Sequence, residues 1–252
     1  MDFLGKMYEL SRQRASDLAV QTDYPFPVRP LKEALAGMAI IAEIKYATPK
    51  DGLLGVKQNP ASLARTYEKF GAHAISCLTE PTYFAGSLEY LGIIRSSCTL
   101  PILMKDFITD ERHIATGRAL GADAILLITE MLSRKELDAL SQCGKDLGMD
   151  CLVEVHTRDG LDKALAVGAT IIGVNARDLV TLKVDPSRHE ELALHIPEGV
   201  VKVAESGITS GVRLKELKDM GYDAALIGRA LVNEEQRRDI FHVGQDLRHH
   251  TA

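Results

Sequence analysis

The chain has 252 residues, 46% apolar and 26% charged, a globular composition with enough apolar surface for a sizeable core. Its net charge of −5 argues against a broad nucleic-acid surface, and no apolar run reaches the roughly 20 residues that cross a bilayer. The N-terminus, Met1 to Lys6, is charged early and carries no signal-type apolar stretch, so a cytoplasmic protein without membrane contact is expected.

In chain order, Phe3–Val20 reads as an amphipathic helix, Tyr24-Pro25-Phe26-Pro27 as a breaker and Leu31–Ala36 as a short helix. From there the chain repeats itself. Gly71-Ala72-His73-Ala74-Ile75 recurs from Gly121, from Gly168 and from Gly221, at intervals of 50, 47 and 53 residues, with a weaker copy at Gly148. Each copy follows a helix-period segment, ends it on a glycine able to take a left-handed conformation, and runs into a short apolar stretch. Near-continuous apolar runs suit strands buried on both faces, hence a parallel sheet. Eight strands are predicted: Ile40–Lys45, Ala74–Leu78, Ile102–Lys105, Ala124–Ile128, Cys151–Val155, Ile171–Asn175, Val201–Glu205 and Ala224–Ile227. Helical segments such as Ala61–Phe70, Leu88–Ser96 and Arg134–Leu147 follow them. Eight units of about 25 residues fit a single α/β domain, a (β/α)8 TIM barrel over residues 39–236. Residues 1–38 then form an N-terminal helical cap, and 237–252 the last helix end and a tail. An open doubly wound sheet is the alternative, but neither GxGxxG nor a Walker A pattern occurs. Cys77, Cys98, Cys143 and Cys151 form no CxxC pair and read as free thiols, and His249-His250 reads as a disordered end rather than a metal site.

Barrels place their chemistry at the C-terminal ends of the strands. Those ends carry Glu43 and Lys45, Lys105 and Asp106, Glu154 and His156, Asn175 with Arg177 and Asp178, Glu205 and Ser206, and Gly228 and Arg229. Glu43 and Lys45 are two apart and face one way, while Ala42 and Ile44 face the helices. A single strand-end Glu or Lys is more often a solvated rim residue. Five at matching positions, Glu43, Lys45, Lys105, Glu154 and Glu205, predict a mouth in which they pair and act as acids and bases. His156 reads as a rim or structural residue, and Asp106 and Asp178 as caps. Glu80 and Glu130 sit at loop-like exits and are set aside.

The loops after the last two strands, Glu205-Ser206-Gly207 and Ile227-Gly228-Arg229, suit a phosphate. Their glycines admit close backbone approach, and Arg229 adds a guanidinium. The 14-residue stretch from Tyr46 to Asn59, with two glycines and Leu53-Leu54, reads as a lid.

These segments resemble the indole-3-glycerol-phosphate synthase family over about Met38 to Glu235. The likeness rests on Ile41-Ala42-Glu43-Ile44-Lys45, Tyr83-Phe84-Ala85-Gly86-Ser87-Leu88, Met104-Lys105-Asp106-Phe107, Val153-Glu154-Val155-His156, Asn175-Ala176-Arg177-Asp178-Leu179 and Ala204-Glu205-Ser206-Gly207. It implies a carbon–carbon lyase of tryptophan biosynthesis that closes a pyrrole ring on a phosphorylated small molecule, with no cofactor and no metal. From the net charge no nucleic-acid partner is expected, and a monomer or weak homodimer is expected. The resemblance further implies Lys105 as general acid and Glu154 as the acid/base of dehydration. Glu43 and Lys45 assist catalysis, Lys45 also near phosphate; Asn175, Glu205 and Ser206 orient substrate and intermediate; Gly207 and Gly228 match phosphate-loop positions, where Thr48 and Arg229 of this chain are further candidates for substrate or phosphate binding. Phe84, Phe107 and Leu179 wall the aromatic ring, and Arg177 meets the substrate carboxylate or fixes the mouth.

Three departures stand out. The family loop reads Ser-Pro-Ser where this chain has Thr48-Pro49-Lys50; a frequent family lysine is Ala47 here; and Arg229 replaces the Ser or Glu that follows the last glycine. Whether Lys50 and Arg229 touch phosphate is left open by the sequence. So are two other readings: a paralogue with an altered phosphate loop that acts on a related phosphorylated ligand or binds it without turnover, and a sugar-phosphate isomerase of the same architecture.

Overall fold

The structure, a computed structural model, describes residues 2–179 and 181–249, with the side chain of His249 outside that set. Eight parallel strands close into a barrel: β1 Ala39–Ile44, β2 Ala74–Leu78, β3 Ile102–Lys105, β4 Ala124–Ile128, β5 Asp150–Val155, β6 Ile171–Asn175, β7 Val201–Glu205 and β8 Ala224–Ile227. β1 closes the ring by pairing with β8 on one side and β2 on the other. Strand bounds differ from expectation only at β1, which runs Ala39–Ile44 rather than Ile40–Lys45, and at β5, which starts at Asp150. The repeated glycines end helices as expected: at Gly121 φ is +98°, and the missing Cβ leaves room for Arg95, whose Cγ would lie 2.8 Å from one.

Side-chain alternation divides the core into two layers. Ala39, Ile41, Ala74, Leu103, Ala124, Leu126, Leu152, Ile171, Val203, Ala224 and Leu226 fill the barrel interior. Ile40, Ala42 and Ile44 point outward into a separate cluster with Leu63, Ala64 and Tyr67 of the helix Pro60–Phe70. Each fully buried Ile or Leu of these layers contributes about 1.5–3 kcal/mol.

The N-terminal segment reaches both ends of the barrel. Helix α1, Phe3–Ser16, is started by Asp2, whose carboxylate accepts the Gly5 N–H at 2.8 Å; it buries Leu4, Met7, Ser11 and Ala15. It docks at the C-terminal ends of the strands. Arg14 there grips both oxygens of Asp106, at 2.7 and 3.1 Å, and Ser11 meets Thr109 at 2.9 Å. The helix stops at Ser16, short of Val20. Asp17 closes the last turn, and Val20 is 79% exposed, so a longer helix would bury no further apolar face. The chain then descends to the opposite end. Arg29 N–H bonds Asp123 just before β4, and Lys32 N–H bonds Asp150. The short helix α2, Leu31–Ala34, ends two residues earlier than expected, because Leu35 leaves helical geometry at ψ 68°.

The stretch from Tyr46 to Asn59 contains a small hairpin, Ala47–Thr48 against Gly52–Leu53. Thr48 Oγ1 accepts the Asp51 N–H at 3.0 Å and donates to the Asp51 carboxylate at 2.9 Å, and Gly52 supplies a positive φ of 65°. The last helix, Glu234–His249, runs to the end of the described residues; His250 lies outside them. All four cysteines are free. No described helix is long and apolar enough to cross a membrane.

Candidate active site

A cavity of about 420 Å³ opens at the C-terminal ends of the strands. It collects Glu43, Lys45, Phe84, Lys105, Phe107, Glu154, Asn175, Arg177, Leu179, Glu205, Ser206, Gly207, Gly228 and Arg229 from seven of the eight strand exits. Leu126, Ile128 and Leu226, inward-facing on their strands, form an apolar floor. Of the residues expected at the site, only Thr48 lies outside the cavity, because its hydroxyl is engaged with Asp51 in the hairpin. Lys50 is exposed and also lies outside it.

Lys105 is the centre of the charged cluster. Its ammonium lies 2.8 Å from Glu205 and 3.2 Å from Glu154. Burial alone would lower its pKa, but Glu205, Glu154 and Glu43 outweigh burial and raise it, so Lys105 is a cation. The two carboxylates diverge. Burial pushes Glu205 well above the usual range against the pull of Lys105, and the neighbouring negative charge of Glu154 adds to the rise. At Glu154, burial is overcome by Lys105 and His156, which hold it below the usual range. The two carboxyls are thus driven in opposite directions, Glu205 toward its protonated form and Glu154 toward its ionised form, a division that suits acid–base work. Glu205 is accommodated because β6 has a glycine two residues before its register partner Asn175: a Cβ on Gly173 would lie 2.2 Å from Glu205 Oε1.

A second pair sits on the other side. Glu43 and Lys45 meet at 2.5 Å. Burial opposes ionisation of Glu43, but Lys45 and Lys105 lower its pKa overall. Gly228 again makes room: a Cβ there would stand 2.2 Å from Glu43 Oε1 and 3.0 Å from Lys45 Nζ. Backbone conformation prepares the adjoining loop, with Ser206 and Gly207 at φ 65° and 73°. Phe84 and Phe107 pack at 6.1 Å, and Phe3 of α1 backs Phe107 at 6.0 Å, so the aromatic wall is buttressed by the N-terminal helix.

Several residues behave differently from their sequence reading. Asp106 caps no helix; it is buried and takes Arg14, Thr79 Oγ1 at 2.7 Å and the Phe107 N–H at 2.7 Å, which fixes the turn just after Lys105. Asp178 does serve a turn, accepting from Thr181 N–H and hydroxyl at 2.7 and 3.0 Å. Glu80 is fully buried and caps the helix Pro81–Phe84 through three N–H groups. Arg177 is tied by its guanidinium to the Leu182 carbonyl at 2.9 Å. Arg229 is 64% exposed and pairs with Asp51 of the hairpin at 2.5 Å. His156, set aside as a rim residue, is 6% exposed and lies between Glu130 and Glu154. Its signal in the sequence was polar residues at the exits of adjacent strands. Among the described residues, no group of three or more His, Cys, Asp and Glu is arranged to hold a metal ion.

A family model described as indole-3-glycerol phosphate synthase matches residues 5–243. This chain belongs to the indole-3-glycerol phosphate synthase family. Relatives of that name are 47% identical over 197 residues in Micrococcus luteus (78% of this chain, 74% of the relative) and 44% over 208 in Campylobacter jejuni (82% and 81%). One from Mycolicibacterium vanbaalenii is 41% identical over 237 residues, 94% of this chain and 87% of its own. Among solved structures, KGPDC from Streptococcus mutans superposes with a TM-score of 0.64 at 14% identity, over 84% of this chain and 98% of that one. N-acetylmannosamine-6-phosphate 2-epimerase from Clostridium perfringens gives the same score and identity over 88% and 99%. At that identity the likeness concerns the barrel alone. Family membership makes the chain a tryptophan-biosynthesis enzyme.

Proposed function

We propose that this chain is a carboxy-lyase that converts 1-(2-carboxyphenylamino)-1-deoxyribulose 5-phosphate into indole-3-glycerol phosphate, working in the cytoplasm. The observation that carries this reading is Lys105, whose ammonium lies between the carboxyls of Glu154 and Glu205 beside an aromatic wall. In this scheme the ring carbon bearing the carboxylate attacks the ketone carbon while Lys105 delivers a proton to the ketone oxygen. Carbon dioxide leaves, and its bonding pair stays in the ring. The hydroxyl so formed then departs as water with a proton from an acid. Glu154, ionised, takes the proton lost from the neighbouring carbon, which completes the pyrrole. Lys45, beside Gly228, and the backbone of Ser206 and Gly207 meet the phosphate; Phe84, Phe107 and Leu179 hold the anthranilate ring; Arg177 faces its carboxylate; Asn175 orients the intermediate.

The test is direct. Mixing protein with this substrate is expected to produce indole fluorescence and one equivalent of carbon dioxide, against a low background because the chain has no Trp. Saturable substrate binding with neither product would overturn the reading.

A further inference from the structure

His156 follows the last residue of β5 and sits directly behind Glu154, away from the cavity. Its Nδ1 lies 2.9 Å from Glu130 Oε2, its backbone N–H donates to Glu130 Oε1 at 2.9 Å, and its Nε2 lies 3.3 Å from Glu154 Oε1. Both ring nitrogens therefore face carboxylate oxygens. A neutral imidazole has a single N–H, so one nitrogen would turn a lone pair toward a carboxylate; an imidazolium sets positive charge against both, hydrogen-bonded to Glu130 and in an ion-pair contact without hydrogen-bond geometry with Glu154. Glu130 cannot swing away. Thr129 and Thr157 hydroxyls bond it at 2.8 and 3.2 Å, and Gly160 lies so close that a Cβ would stand 2.5 Å from Glu130 Oε1. Glu154 consequently has a cation on each oxygen: Lys105 on Oε2, facing the substrate cavity, and His156 on Oε1 behind.

We propose that His156 is a positioning residue for the ring-closure reaction: as an imidazolium clamped by Glu130, it keeps Glu154 an ionised base aimed at Lys105 and leaves the proton of the carboxylate pair on Glu205. This rests on the function proposed above. The groups facing His156 are Glu130 at the β4 exit, Glu154 on β5 and Glu205 on β7; Asn175 on β6 is neutral. The nearby cations are Lys105, beyond Glu154, and Lys163, which bonds the Thr129 carbonyl at 3.3 Å. Burial opposes the imidazolium, but the Glu130 hydrogen bond and the charges of Glu154 and Glu130 raise the His156 pKa overall. A buried carboxylate whose opposite charge is removed has its pKa raised by about one to three units.

The test combines steady-state pH profiles of wild type, His156→Asn and Glu130→Gln with the ring 15N signals of His156, assigned by their loss in His156→Asn. The wild-type ring is expected to be doubly protonated at neutral pH. In both variants the acid limb of kcat should move upward, by about one to two pH units in His156→Asn. Plateau kcat should fall about ten- to a hundredfold there, with KM within threefold. If His156→Asn does not fold, His156→Gln takes its place for the assignment and the Glu130→Gln profile decides. An active wild type with a neutral ring, or variant acid limbs that coincide with its own, would overturn the inference. A wild type that forms no product would instead overturn the ring-closure reading, and the role of His156 in it falls with it.

Discussion

The end of the barrel opposite the cavity offers a sharp test of how the fold separates stability from chemistry. Arg95 and Asp123 form an ion pair there, with side chains 3% and 1% exposed. Arg95 Nη1 reaches both Asp123 oxygens at 2.9 Å, and the same carboxylate accepts the Arg29 N–H at 2.8 Å and the Ile102 N–H at 2.9 Å. Asp123 thus ties together the helix Glu89–Arg95, the start of β3 and the descending N-terminal segment. Arg95→Met keeps an apolar stem in place and leaves the carboxylate buried without its cation. Breaking a buried pair from one side costs about 3–5 kcal/mol. The two surviving N–H bonds put the expected loss near the lower end, about 3 kcal/mol, or roughly 6–12 °C in Tm for a chain of this size. Because Asp123 lies at the start of β4 and the reacting groups at the other end, kcat and KM should stay within twofold. Urea denaturation, thermal melting and steady-state kinetics on one preparation measure all three. Arg238→Met, which breaks a pair whose members are 68% and 65% exposed, should change nothing measurable. An Arg95→Met protein within 1 kcal/mol of wild type, or one that is folded but inactive, would refute the reasoning.

Other perturbations probe the site and its surroundings. Gly228→Ala drives a Cβ into Glu43 and Lys45, so KM for the phosphorylated substrate should rise severalfold more than kcat falls; an unchanged KM would remove Lys45 from phosphate binding. Arg229→Ala should raise KM by less than about threefold, since this exposed guanidinium is committed to Asp51, and a tenfold rise would show that it carries phosphate affinity. His189 is wholly buried with Nε2 3.1 Å from the Glu205 carbonyl, and burial pushes its pKa from 6.5 down to about 4. A depressed folded-state imidazole contributes stability that is present above its unfolded pKa and lost as pH falls toward the folded one. Unfolding free energies from urea denaturation at pH 7.5 and 5 should therefore differ by about 2 kcal/mol more in wild type than in His189→Gln, and the same pH dependence in both would contradict a neutral His189.

The strands were legible because each follows a helix-ending glycine and is apolar throughout, so period and punctuation agree. Inward alternation likewise identified Glu43, Lys105, Glu154 and Glu205 before any contact was known. What the sequence hides depends on closure of the ring and on long separations. Arg14 and Asp106 are 92 residues apart, so a residue that looks like a helix cap becomes the anchor of the N-terminal helix. Glu130 and His156 are 26 apart, and they meet only because β4 and β5 are neighbours whose exits lie level. The hairpin at Ala47–Leu53 has two-residue strands, too short for any alternation to register. Thr48 and Arg229, expected as candidates for substrate or phosphate binding, both engage Asp51. That carboxylate stands beside the residues where this chain departs from the family pattern.

The central claim is that Lys105 protonates the ketone oxygen. Its most direct test is single-turnover product formation by Lys105→Met, with substrate binding and far-UV circular dichroism measured on the same sample. The account predicts native secondary structure, retained substrate binding and a rate lowered by about a hundredfold or more. Product formation at a rate close to wild type would contradict it.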